Sequence, residues 1–211
     1  MTQPILHGPA FSTYVRSVRI TLAEKGVDYE LREFNFLEGW PDGYDKLHPF
    51  MKVPAFEHNG LTLYETPAIM AYVDAAFEGP ALLPGDAASR AKSLQTINVV
   101  DNYGYNALIT RTFIPRAVVP MMGGTTDEAV VEEARGDCER VVSVLNGMLE
   151  GQDYFGGRNA TLADFHVVPV IHYTTQIPDG KALLAKAPVL SAWFERMGTR
   201  ESVTATVPAL G

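Results

Sequence analysis

The chain has 211 residues, of which 46% are hydrophobic and 20% are charged, close to the average of globular proteins. This composition excludes a disordered, collagen-like or coiled-coil chain, and the length fits one large domain or two small ones. Seventeen Lys and Arg against 25 Asp and Glu give a net charge of −8, so we expect no nucleic-acid partner. The single cysteine, Cys138, excludes an internal disulfide, a CxxC redox pair and a cysteine-based zinc site.

The first residues of the sequence contain no recognisable targeting signal. No Lys or Arg precedes Arg16, and no long apolar run follows, so the sequence predicts neither a secretory signal nor a membrane partner. We therefore expect a cytoplasmic protein. None of the five histidines forms an i,i+4 pair, and no metal site is predicted.

The first third of the chain alternates between strand and helix patterns. Residues 4–7 form a short apolar run, residues 12–25 place apolar side chains at helical spacing, and residues 29–34 alternate as in a strand. A strand that follows a helix should pair parallel to the strand before it. A short helical piece is expected at Tyr44–Leu47.

A hairpin and a helix are predicted next. Asn59-Gly60 lies between the apolar runs 53–57 and 61–64, and this dipeptide favours a tight turn because both residues tolerate positive φ. The third and fourth strands should therefore be antiparallel. Thr66 is the expected N-cap of the following helix, with Pro67 at its first position.

A change of pattern after this helix indicates a domain boundary. Residues 79–86 hold two glycines and two prolines, so we predict a first domain over 1–78, a linker over 79–86 and an all-helical domain over 87–211. Two capping boxes are expected in the helical part, Thr125 to Glu128 and Thr161 to Asp164.

Four stretches, in this order and spacing, resemble the glutathione S-transferases over nearly the whole chain; they are residues 7–18, 48–56, 63–69 and 161–171. The first and last are most similar to the phi class and its bacterial relatives that use serine, with the zeta class next. The resemblance implies an α/β thioredoxin-like N-terminal domain with a mixed four-stranded sheet, and an all-α C-terminal domain. It also implies a cytosolic homodimer that acts in detoxification.

Ser12 stands where those classes keep a catalytic serine, whose hydroxyl donates to the thiolate of bound glutathione. The thiolate is the reactive form of this co-substrate. Two alternatives remain open from the residues alone. In the first, Ser12 serves only as the N-cap of the first helix. In the second, the hydroxyl of Thr13 or Tyr14 donates to the thiolate instead.

The resemblance assigns the glutathione-binding residues to two further stretches. Glu65 would take the ligand's ammonium, and Thr66, at a helix start, would take the α-carboxylate. Val53 and Pro54 would form the pair in which a cis proline turns the Val53 backbone towards the ligand, and Lys52 would reach the glycine carboxylate. In the alternative, Thr66 only caps its helix and Lys52 is a solvated surface lysine.

The other candidate residues could belong to a packed core as well as to a functional site. An apolar second-substrate pocket could involve aromatic side chains of both domains, although the residue types favour packing in a core; they are Phe11, Tyr14, Phe36, Tyr105 and Phe113. Cys138 falls on an apolar helix stripe, where a buried core residue is expected.

We therefore predict a glutathione transferase that activates glutathione as a thiolate for attack on an electrophilic, apolar second substrate, without a metal. The same thiolate would also serve a glutathione-dependent isomerase, dehalogenase or ether-cleaving enzyme. A protein of this fold that binds an apolar ligand or a partner without catalysis is the remaining alternative.

Overall fold

The structure is a computed structural model that describes residues 2–208. By its internal contacts the chain divides into two units. Residues up to Leu83, together with those from Arg200 on, form the first unit, and Pro84–Thr199 forms the second. The sequence pattern did not predict that the residues from Arg200 on group with the first unit.

The first unit contains a four-stranded mixed sheet, as predicted. Its strands, in chain order, are β1 (Ile5–His7), β2 (Glu30–Arg32), β3 (Ala55–His58) and β4 (Leu61–Tyr64). They lie side by side in the order β2-β1-β3-β4, with β1 and β2 parallel and the other two pairs antiparallel. Strand β2 is shorter than the predicted 29–34, because only its central residues pair with β1.

The hairpin between β3 and β4 turns at the predicted dipeptide. Asn59 has a φ of 50° and Gly60 a φ of 80°. The strands pair from Ala55 opposite Tyr64 to His58 opposite Leu61. This register leads the chain from β4 directly into Glu65.

Helices make up the rest of the ordered elements. In chain order they are α1 (Thr13–Glu24), α2 (Tyr44–Leu47), α3 (Thr66–Ala76), α4 (Ala87–Val99), α5 (Val119–Met121), α6 (Glu128–Met148), α7 (Leu162–Thr174), α8 (Pro178–Ala185), α9 (Pro188–Met197) and α10 (Glu201–Thr204). Between α4 and α5 the chain stays helical over Val100–Val118 with wider, π-type turns. Residues 87–199 of the second unit thus contain helices and no β-strand.

The core of the first unit forms where α1 and α3 pack beside the sheet. The predicted stripe of α1, Val15, Val18 and Leu22, is fully buried, as are Leu6 of β1 and Phe56 of β3. Burial of a side chain of this size contributes roughly 1.5–3 kcal/mol. This packing fixes the ends of β1 and α1, between which Ser12 lies.

Two predicted helix starts were wrong. Helix α3 has Glu65, not Thr66, at its N-cap, and Thr66 already belongs to the helix. Helix α6 is capped by Asp127, whose Oδ1 accepts from the N–H groups of Ala129 and Val130, so the capping box from Thr125 to Glu128 does not form. At α6, Thr125 and Asp127 are both favourable N-cap residues, so the sequence alone does not select between them. At α3, Glu65 takes the N-cap position although glutamate is not among the preferred N-cap residues.

The second predicted capping box is confirmed at the start of α7. Thr161 is the N-cap, and its backbone N–H donates to Oδ2 of Asp164 at 2.8 Å. The helix is buried along nearly its whole length and holds Pro169 in its interior.

Candidate functional site

Ser12 lies at the N-terminus of α1, in the loop that follows β1. Its backbone is extended, with φ −66° and ψ 130°, and its Oγ accepts from the N–H of Val15 at 3.4 Å. Its carbonyl accepts from the N–H of Arg16 at 2.9 Å. Ser12 is therefore the N-cap of α1.

The capping role leaves the hydroxyl hydrogen of Ser12 available. A serine hydroxyl can accept two hydrogen bonds and donate one, and capping uses one acceptor site only. Capping and donation to a sulfur anion are thus compatible. The rival hydroxyl of Thr13 is buried without a partner among the residues described, and Tyr14 is half-buried.

The loop before Ser12 packs closely against the loop that precedes β3. Gly8 has a φ of +136°, and a Cβ at this position would lie 2.7 Å from Cγ2 of Val15 and 3.0 Å from Cβ of Val53. The N–H of Ala10 donates to Oε1 of Glu33 at 2.8 Å. Only glycine allows this approach, which brings the Ser12 loop and Val53 together.

A tyrosine side chain is hydrogen-bonded to the segment around Val53. The Val53–Pro54 peptide bond is cis, Pro54 is buried, and the hydroxyl of Tyr44 donates to the carbonyl of Lys52 at 2.9 Å. Burial raises the pKa of Tyr44, so its phenol stays protonated as a donor. The Lys52 side chain itself is exposed.

Glu65 and Thr66 lie where β4 passes into α3. Glu65 has a φ of 68° and a ψ of 110°, an unusual backbone conformation for a residue other than glycine. Its carbonyl accepts from the N–H groups of Ala68 and Ile69, both at 3.0 Å. Thr66 is 3% exposed in the first turn, where helix N–H groups and the helix dipole favour an anion.

His48 is a neighbour of this region that was not among the predicted glutathione-binding residues, although it opens the stretch 48–56 that carries the family resemblance. It follows α2, and the centroid of its ring is 5.0 Å from that of Tyr64, the residue before Glu65. The residue is 2% exposed, and its Nδ1 has no hydrogen-bond partner among the residues described. No local motif signals the proximity of His48 to Tyr64, because this contact arises from the tertiary fold.

Aromatic rings form a chain of contacts in the first unit. The Phe11 and Phe36 centroids are 5.7 Å apart, Phe36 and Trp40 stack at 5.8 Å, and Trp40 lies 5.1 Å from Tyr44. Sequence reasoning proposed Phe11 and Phe36 but missed Trp40. The cluster connects the residue before Ser12 with the tyrosine that holds Lys52.

The other two predicted pocket residues lie in the second unit. Phe113 is largely buried, and its ring centroid is 4.8 Å from that of Tyr173. Tyr105 is half-buried, and this burial raises the pKa of its phenol. The first unit thus brings together Phe11 and Phe36, whereas Phe113 packs within the helical unit.

Cys138 is a core residue, as predicted. It is 2% exposed, and its Sγ lies 3.3 Å from both the carbonyl of Ala107 and the hydroxyl of Thr112. Burial raises the pKa of its thiol. Within residues 2–208, no group of three or more His, Cys, Asp and Glu side chains is arranged to hold a metal, and no helix has the length and apolarity to cross a membrane.

Known proteins match the chain along most of its length. The family model of the glutathione S-transferase N-terminal domain matches residues 6–81, and that of the C-terminal domain matches residues 106–201. A glutathione S-transferase of Hyoscyamus muticus is 34% identical over 197 residues, which cover 89% of this chain and 90% of that protein.

Solved structures agree with this match. The apo form of glutathione S-transferase III superposes with a TM-score of 0.87 at 30% identity, covering 99% of this chain and 97% of that one. Glutathione S-transferase I from mais, in complex with an atrazine glutathione conjugate, gives a TM-score of 0.86 at 29% identity and covers 97% and 96%. The expected family is confirmed: the chain belongs to the glutathione S-transferases.

Proposed function

We propose that this glutathione transferase uses the Ser12 hydroxyl to hold bound glutathione as its thiolate. The sulfur anion then attacks an electrophilic carbon of an apolar second substrate, so that a carbon–sulfur bond forms and the leaving group departs with its electron pair. Ser12 itself makes no covalent bond in this scheme. Its hydroxyl stabilises the negative charge before and during the attack.

The energetics favour the hydroxyl as the main source of that stabilisation. Lowering the thiol pKa by about 2 units requires about 2.7 kcal/mol. The N-terminus of α1 can supply roughly 0.3–1 kcal/mol through its dipole. A hydrogen bond to a charged group contributes about 1.5–3 kcal/mol, which is the larger share.

The rest of the tripeptide would bind along the segments described around Ser12. Glu65 would pair with the ammonium of the γ-glutamyl end, and the first turn of α3 at Thr66 would receive the α-carboxylate. The backbone of Val53, next to the cis Pro54, would hold the cysteinyl part, and Lys52 would reach the glycine carboxylate. This proposal rests on the close approach of Gly8 to Val53 and on the absence of a side-chain cap hydrogen bond at Glu65, the N-cap of α3.

The second substrate would meet aromatic side chains near the sulfur. Phe11 precedes Ser12 and contacts Phe36, so an apolar electrophile could pack on these rings while the thiolate approaches its carbon. Tyr14 remains a proposed member of this pocket. The second substrate is therefore expected to be apolar.

We also propose that the enzyme works as a homodimer in the cytoplasm. Phe50 is 67% exposed in the first unit, and the second unit has a groove lined by Val99, Tyr103 and Val144. Exposed apolar surface of this kind favours burial by another chain, here a second copy. Sedimentation at micromolar concentration tests the dimer, and a monomer at every concentration would contradict it.

The observation that carries the proposal is the position of Ser12 at the N-terminus of α1, where its Oγ accepts one hydrogen bond and can still donate one, in the loop whose Gly8 approaches Val53. The direct test is ultraviolet absorbance of the thiolate on addition of glutathione, together with conjugation to a generic electrophile. We expect a thiolate signal at neutral pH and turnover. A protein that binds glutathione only as the neutral thiol, without turnover, would contradict the proposal.

A further inference from the structure

The turn before Ser12 is held by a side chain that lies outside it. Within the turn, the N–H of Ser12 donates to the carbonyl of Pro9 at 3.0 Å. The N–H of Ala10, in the middle of the turn, donates to Oε1 of Glu33 at 2.8 Å. Glu33 lies 23 positions further along the chain, directly after β2. A side chain at the end of β2 therefore fixes the backbone two positions before Ser12.

This contact continues the pairing of β1 with β2 beyond the ends of the two strands. The strands are parallel, and just after β1 the N–H of Gly8 donates to the carbonyl of Arg32 at 3.2 Å. Pro9 has no N–H to donate. The next donor, the N–H of Ala10, bonds to the Glu33 carboxylate and not to a backbone carbonyl. The Glu33 side chain thus takes the place of a backbone acceptor where the sheet has ended.

The strength of the bond that Ser12 can donate depends on where this backbone lies. Hydrogen bonds weaken steeply when the donor is misaligned, and a functional group has to be held within about 0.5 Å of its productive position. A hydrogen bond to a carboxylate is stronger than one to a neutral acceptor. Loss of the Glu33 contact would therefore widen the range of positions open to the turn and to the Ser12 hydroxyl.

We propose that Glu33 is a positioning residue for the reaction, whose carboxylate holds the Ala10 N–H and thereby keeps the Ser12 hydroxyl aligned with the glutathione sulfur. The inference rests on the proposed function, because it assumes that Ser12 donates to the thiolate. In this scheme Glu33 contacts neither the sulfur nor the electrophilic carbon. It acts through the backbone of the turn.

The charge of Glu33 and its hydrogen bond would act on the bound thiol in opposite directions. A nearby carboxylate disfavours the thiolate and raises the pKa of the thiol, whereas an aligned Ser12 hydroxyl lowers it. Because Glu33 is exposed, water and salt screen its charge. The hydrogen bond should therefore dominate, so removal of the side chain should raise the pKa of the bound thiol. Removal of a mere charge would lower this pKa.

Glu33→Ala and Glu33→Gln separate the two influences. Both variants remove the charge, but the glutamine amide oxygen can still accept from the Ala10 N–H. In Glu33→Ala the pKa of bound glutathione should rise by about 0.5–1 unit and conjugation near neutral pH should fall by roughly 3–10-fold, with glutathione affinity nearly unchanged. Glu33→Gln should restore most of the parental pH profile. Glu30→Ala is the matched control and should keep that profile, since Glu30 is an exposed carboxylate of β2 that bonds to Arg32 instead.

A double variant tests whether Glu33 acts through Ser12. Adding Glu33→Ala to Ser12→Ala should change neither the thiol pKa nor the rate further, whereas independent effects would add. Thiolate absorbance and pH–rate profiles measure all the variants. An unchanged or lowered thiol pKa in Glu33→Ala, an equal change in Glu33→Gln, or an additive effect in the double variant would overturn the inference and leave Ser12 in its role. A parental profile in Ser12→Ala would overturn the proposed function, and the inference with it.

Discussion

The indole N–H of Trp193 donates to Oδ1 of Asp164 at 2.8 Å, across 29 positions of sequence. Asp164 is fully buried, and the same carboxylate also accepts from the N–H of Phe155 and from both the N–H and the hydroxyl of Thr161. Burial raises the pKa of Asp164, and these hydrogen bonds oppose the rise. One side chain therefore completes the capping box of α7 and ties this helix to α9.

Asp164→Ala should lower the free energy of unfolding by about 3–5 kcal/mol, because it leaves several buried donors without an acceptor. Loss of an ordinary cap costs roughly 0.5–2 kcal/mol. The matched control is Asp86→Ala at the exposed N-cap of α4, where the side chain accepts from Ser89. Urea denaturation measures both. Equal losses in the two variants would show that the buried network adds nothing to capping.

Glu65→Gln should remove most of the stabilisation that glutathione gives to the folded protein. At about 100 times its Kd a ligand adds about 2.7 kcal/mol, or roughly 5–10 °C in melting temperature for a chain of this size. Differential scanning fluorimetry with and without glutathione measures the shift. Glu30→Gln, on the exposed face of β2, is the control and should respond as the parent does. A parental shift in Glu65→Gln would exclude Glu65 from the binding site.

Gly8→Ala should destabilise the protein and weaken glutathione binding together. The added Cβ would meet Val15 at 2.7 Å and Val53 at 3.0 Å, at a φ that alanine rarely adopts. Gly136→Ala, where a Cβ meets nothing within 4 Å inside α6, should be neutral or stabilising by up to about 1 kcal/mol. Thermal melting and glutathione titration check both variants. A stable Gly8→Ala protein with parental affinity would show that this close approach is dispensable.

Cys138 should be unreactive in the native protein. Burial raises the pKa of its thiol, so little thiolate forms near neutral pH, and the sulfur is shielded. An aromatic disulfide reagent at about pH 7.5 should react at least about 100-fold faster after denaturation, and Cys138→Ser should keep conjugation activity. Rapid stoichiometric reaction of the native protein would contradict the core assignment.

The periodic parts of the fold could be predicted from the sequence. The α1 stripe of Val15, Val18 and Leu22 and the Asn59-Gly60 turn follow from spacing and from turn chemistry, and both are confirmed. The predicted N-cap of α6 was wrong because Thr125 and Asp127 have similar capping propensities, and only packing selects between them.

Long-range relationships could not be predicted in the same way. Arg16 is buried and donates to the carbonyl of Val203, and Arg200 pairs with Glu24 at 2.6 Å, which joins the end of the described chain to α1. The positions of the site segments in the sequence were recognisable through the family resemblance. The packing of His48 on Tyr64 was not, because no local pattern records a contact made through tertiary structure.

The central claim is that the Ser12 hydroxyl stabilises the glutathione thiolate. Ser12→Ala should raise the pKa of the bound thiol towards its free value and lower conjugation near neutral pH by roughly 10–150-fold, the equivalent of one charge-assisted hydrogen bond. Glutathione affinity should change much less, since most of the proposed contacts lie on Glu65, Thr66 and Val53. Tyr14→Phe is the matched control and should keep the parental profile.

The most direct measurement is the pH–rate profile of the parent, Ser12→Ala and Tyr14→Phe, with thiolate absorbance recorded on the bound tripeptide. The account predicts that only the Ser12→Ala profile shifts to higher pH, and that raising the pH restores much of its rate. A shift in Tyr14→Phe with an unchanged Ser12→Ala profile would assign the role to the other hydroxyl. Unchanged profiles in both variants would contradict stabilisation by a serine hydroxyl.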